Sequence, residues 1–167
     1  MALGALGRHR RSNRYEIKGR ISIPLLIFAV ASNLLAGQVL NVDENGVALQ
    51  GYDPVAYFTD GRPVKGVQEL AASYNGATYY FSSAEHKAQF EREPGKYAPC
   101  FGGFCAFAVS RGTTAPTSVD AFQIINGHLV LHKNKDVLKR WQEDPEGNFE
   151  KAEANWRQIV QKNADKK

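Results

Sequence analysis

Asn-Gly stands twice between apolar runs, at Asn75-Gly76 and at Asn126-Gly127, and no other feature limits the folding of this chain so tightly. Both central residues of a two-residue type I′ turn need positive φ, which Asn and Gly tolerate, so each pair predicts a β-hairpin with its register fixed. The first hairpin is expected to run 71–74 against 77–81, the second 122–125 against 128–131. The first leads directly into SSAEHKAQFERE, a helix marked at both ends. Ser82 is the expected N-cap, with Glu85 three residues on as its capping-box partner and Phe81 in the staple position. Pro94-Gly95 ends that helix.

Two further helices are expected to close the chain. In the last of them Phe149, Ala152, Trp156, Ile159 and Val160 keep a helical period, a stripe that packs on the rest of the fold. Upstream, 47–49 and 55–58 read as short strands joined through Gly51-Tyr52-Asp53-Pro54. Asp53 there either bonds its own turn or, beside the tyrosines, lines a pocket. The pass along the chain finds no internal repeat. The fold class that results is α+β: a small antiparallel sheet, made of hairpins with Asn-Gly turns, packed against a central helix and two C-terminal helices.

At 167 residues the chain has length for one domain with a core that needs no disulfide or metal support. Its charge is unevenly placed. Residues 1–31 hold six basic residues and Glu16 as the single acid, leaving 15 basic and 16 acidic residues of the total 21 and 17. The basic excess therefore belongs to the N-terminal segment, and nothing in it argues for nucleic acid. That segment has a basic start, the apolar run ISIPLLIFAV and then small residues, which is the layout of an export leader over residues 1–37. An uncleaved anchor and an organelle transit peptide are the competing readings. The expected organisation is thus a leader at 1–37, a domain at 38–162 and a basic tail at 163–167, with membrane contact only through an uncleaved leader.

The stretch Tyr79-Tyr80-Phe81-Ser82-Ser83-Ala84-Glu85-His86, followed by Phe90, Pro94 and Tyr97, resembles the YHS domain. With GYDPVAYF before it and CFGGFCAFAV after it, residues 46–160 are similar to secreted YHS-domain proteins. YHS modules occur in copper-transporting ATPases and in multicomponent hydroxylases. The resemblance therefore implies an extracytoplasmic, non-enzymatic binding module for a transition-metal ion such as copper or zinc. This chain departs from the ATPase-type pattern where Ser82 and His86 stand in place of two cysteines, and a hydroxyl is a poor ligand for a soft ion.

The donors that remain are His86, Cys105 and Cys100. His86 shares a helix face with Phe90 one turn on, so its ring is either a ligand at a pocket or a half-buried histidine packed on Phe81. For Cys100 and Cys105 three readings compete. An exported protein favours a disulfide across the flexible Phe101-Gly102-Gly103-Phe104 segment. A metal or redox site would join one or both thiols to His86. Packing alone would bury them as small apolar groups. His128 and His132, four apart on one strand, are too far separated to share an ion and read as surface residues. No phosphate loop, G-x-S-x-G elbow or H-E-x-x-H motif is present, so enzyme readings reduce to a Cys nucleophile with His86 as base. The remaining alternative is an interaction domain without a small ligand.

Overall fold

The computed structural model describes Met1 and residues 38–165; the leader assigned to 1–37 lies outside the described residues, apart from Met1. The fold is α+β, and its strand part is divided into two separate hairpins rather than joined in one sheet. Strand β1 (Val67–Tyr74) pairs antiparallel with β2 (Ala77–Phe81), and β3 (Ser118–Ile125) pairs antiparallel with β4 (His128–His132). Both tips are the Asn-Gly turns, with φ of 46° and 77° at Asn75 and Gly76 and of 51° and 78° at Asn126 and Gly127.

Short helices frame the hairpins: α1 (Ala56–Thr59), α2 (Ala84–Arg92), α3 (Pro94–Tyr97), α4 (Ala106–Val109), α5 (Lys135–Trp141) and α6 (Pro145–Ala164). Helix α6 carries the apolar stripe and runs into the segment assigned to the tail. Among the described residues no helix is long and apolar enough to cross a membrane. Two neighbouring cores result. One gathers Tyr57, Tyr79, Phe81, Phe90 and Leu131; the other gathers Phe101, Val109, Val130, Trp141 and Phe149.

Three local expectations are corrected. Residues 55–58 are not a strand: they open helix α1, because the Asp53 carboxylate accepts from the Val55 amide at 2.8 Å and from the Ala56 amide at 3.4 Å. An acid bonding the amides just ahead of it starts a helical turn, and Pro54 suits its first residues. The N-cap of α2 is Ser83, not Ser82; the Ser83 hydroxyl accepts from the His86 amide at 3.1 Å. Ser82 is drawn away by Asp53. Ser83→Ala should accordingly cost about 1 kcal/mol of stability in a urea titration, the usual value of a lost N-cap.

The third correction concerns the repeat. The order left-handed turn, short helix, hairpin, helix, proline-led helix is traversed twice. The first passage starts at Leu49–Gly51 and the second at Phe101–Gly103, both with positive φ at three consecutive residues. Left-handed backbone costs an L-residue about 1–2 kcal/mol, so Leu49, Gln50 and Phe101 hold it only because their surroundings enforce it. Gly102 has no such choice: a Cβ there would collide with the Val39 carbonyl oxygen.

Candidate functional site

The loop before α1, the end of β2 and the first turn of α2 converge on the carboxylate of Asp53. Its side chain is 0% exposed, and it is the one acid that the fold buries completely among the described residues. Burying a carboxylate is costly unless every lone pair is used, and here they are. Oδ1 holds the Val55 amide. Oδ2 accepts from the Ser82 amide at 2.8 Å, the Ser82 hydroxyl at 2.6 Å and His86 Nδ1 at 2.7 Å. Ser82 Oγ lies 3.3 Å from the same ring nitrogen. The turn reading of Asp53 therefore holds, and the residue also does much more: it ties three elements together.

Donation from Nδ1 to the carboxylate fixes the neutral His86 ring as the Nδ1–H tautomer, with its lone pair at Nε2. The ring is only 15% exposed, and Nε2 faces the Thr59 hydroxyl at 3.4 Å. That hydroxyl is engaged with Asp60 Oδ1 at 2.8 Å. A carboxylate behind one ring nitrogen and a reachable lone pair on the other is the arrangement that orients a histidine for binding or proton transfer. Ser82 is not placed as a nucleophile for it, because its hydroxyl sits on the Nδ1 side.

The thiols lie elsewhere. Both are free, so the expected Cys100–Cys105 bridge is not formed. Cys105 is buried at the start of α4, where it makes a bridge with Leu131. Cys100 lies on the wall of a cleft of about 570 Å³ whose other walls include Tyr74, Tyr79, Phe101, His128 and Trp156. Burial, aided by the Glu153 carboxylate, pushes its thiol up to about 11, which keeps it neutral and a poor nucleophile or ligand. Of the three readings of the cysteines, packing is what the geometry displays. Protein unfolded without reductant should take up iodoacetamide at both cysteines, whereas native protein should protect Cys105; a mass pattern with neither alkylated after unfolding would contradict free thiols.

Among the described residues no group of three or more His, Cys, Asp and Glu is placed to hold a metal ion. His86 is bonded to Asp53 and Ser82, while Cys100 lies on the cleft wall against the second core and Cys105 is buried at the start of α4. The donors present thus do not form a closed soft-metal site of the type the resemblance implied. His128 is exposed, as expected, and stacks on Phe149 at 6.0 Å and 19°. His132 is not a surface residue: it is 0% exposed beside Trp141, and neither ring nitrogen has a partner.

Sequence reasoning left Thr59 out of the site, set Ser82 aside as a poor ligand and offered Asp53 only as a turn residue or a pocket wall. An available signal was Asp-Pro ahead of an apolar stretch, which marks a helix start and so an acid with its carboxylate turned inward. Residues 55–100 match the family model of the YHS domain, which takes in Ser82, His86 and Cys100 and begins two residues after Asp53. No curated protein and no solved structure matches the chain.

Proposed function

We propose, from the match of residues 55–100 to the YHS-domain model, that the chain is a non-enzymatic, extracytoplasmic binding module whose ligand contact is the outward nitrogen of His86. The observation that supports this reading is the Asp53–His86 pair at 2.7 Å, a fully buried carboxylate spent on orienting one imidazole. The hydroxyl that faces Nε2, that of Thr59, donates to Asp60 Oδ1 at 2.8 Å rather than to the ring, so among the described residues the pair supports recognition better than turnover. The lone pair at Nε2 can accept a hydrogen bond or fill one coordination position of a borderline ion such as copper or zinc. It cannot by itself enclose one.

Calorimetric titration of reduced protein with Cu(I), Cu(II) and Zn(II) tests the metal form of this reading. Binding should fall at least tenfold in His86→Gln and stay unchanged in Cys100→Ser and Cys105→Ser. A saturable site indifferent to His86, or none in any titration, would remove the metal from the account. Export is tested separately: N-terminal sequencing of protein from its host should begin between about residue 31 and residue 40. An intact Met1 on protein inside the cytoplasm would contradict it. A second reading, an interaction domain without a small ligand, draws on the open aromatic cleft beside Trp156.

A further inference from the structure

We infer that residues 98–148 are a second copy of the unit formed by residues 46–97, and that only the first copy retains the polar centre. The correspondence holds residue by residue. Asn126-Gly127 follows Asn75-Gly76 by 51 positions, and the same step relates β1 to β3, β2 to β4, Pro94 to Pro145 and the N-caps Ser83 and Asn134. The irregularities repeat as well. In the first hairpin the register jumps between Val67 and Ala71, in the second between Ser118 and Phe122, 51 residues later in both cases.

Hydrogen bonds outside the hairpins correspond as well, their acceptors 51 positions apart and their donors 52. The Ala48 amide donates to Thr78 O at 2.9 Å, and the Cys100 amide to Leu129 O at 2.9 Å; the Asp53 amide donates to Val64 O, and the Cys105 amide to Ala115 O. The core pairs match too. Phe81 and Phe90 have ring centroids 5.1 Å apart at 53°, and His132 and Trp141, 51 residues on, are 5.0 Å apart at 50°. Independent bulges, caps and ring pairs at one spacing have no common physical cause other than one chain path used twice.

Set side by side, the copies differ where the chemistry is. Ser82 corresponds to Lys133 and His86 to Val137; Asp53 corresponds in its backbone bond to Cys105, and the second copy is two residues shorter between its turn and its short helix. Val137 is half-buried, as His86 is, and its amide is capped by Asn134 at 2.9 Å. The fold thus forms without the carboxylate and without the imidazole. With the outward nitrogen of His86 as the ligand contact, the first copy is the working one and the second its platform. Only this assignment of roles rests on the function proposed above; the duplication stands without it.

Two measurements that use no ligand test the inference. In an experimental structure of the full chain, residues 67–97 should superpose on residues 118–148 within about 2 Å, bulges included; a deviation above about 4 Å would overturn the duplication. In urea unfolding, a double-mutant cycle of Asp53→Asn with His86→Gln should be non-additive by about tenfold in the unfolding constant. The matched cycle of Cys105→Ser with Val137→Ala should be additive within about twofold. Additivity in the first copy, or equal coupling in both, would overturn the one-sided centre. Neither outcome depends on whether a metal binds, so failure here is distinct from failure of the proposed function.

Discussion

Asp53→Ala is expected to lower stability by about 4 kcal/mol, among the largest effects available to a single substitution in this chain. The change removes the acceptor of three backbone amides, one hydroxyl and one ring nitrogen at once. Each buried donor left without a partner costs about 1–3 kcal/mol, and the partial exposure of His86 and Ser82 lets water recover some of it. Asp53→Asn keeps the shape and still loses about 3 kcal/mol, because an amide N–H would face the three donors now gathered on Oδ2. Urea titration at neutral pH reads both effects in the midpoint. A loss below about 1 kcal/mol for the alanine variant would mean that the carboxylate is not the tie between the three elements.

Acid should also weaken the fold strongly, through His132. Burial without a partner lowers its pKa from 6.5 to about 4. The unfolded chain therefore binds a proton below pH 6.5, while the folded protein declines it until about pH 4. Stability from this group is complete above pH 6.5 and is lost as pH falls through that window, by about 3 kcal/mol in all. His132→Phe places in β4 the residue that Phe81 supplies in β2, and it should abolish this part of the acid dependence while raising stability at neutral pH. Parallel stability curves for the two proteins between pH 6.5 and 4 would show that His132 is not buried as a neutral ring.

These two residues also mark the limits of what the amino-acid sequence discloses. The hairpins were legible because Asn-Gly leaves few alternatives, and α2 and α6 because their ends and stripe are local signals. The strand assigned to 55–58 failed for a local reason too: apolar residues in a row suit a strand until Asp53 turns back to bond the Val55 and Ala56 amides. Ser82 and Ser83 are indistinguishable as caps in sequence, and only the buried carboxylate 29 residues earlier decides between them. His132 was misplaced because alternation assumes one buried face, whereas β4 is covered on both from Leu129 to His132. The repeat escaped notice because the copies share turn, cap and proline positions while most other matched residues differ.

The site was half legible. His86 could be placed on a helix face, but nothing local indicated that its partner was an acid 33 positions back rather than a cysteine ahead. A thiol pair five positions apart in a chain read as exported invites a bridge or a metal; the backbone between them folds into a left-handed turn against Val39, and both thiols are free.

The central claim is that Asp53 holds His86 with one nitrogen protonated and the other free to meet a ligand. Long-range proton–nitrogen NMR of the histidine rings tests it in the free protein at neutral pH. The account predicts for His86 a protonated Nδ1 whose hydrogen exchanges slowly and a bare Nε2, with both features lost in Asp53→Asn. A His86 ring carrying its proton on Nε2, or a spectrum that the Asp53→Asn substitution leaves unchanged, would contradict it.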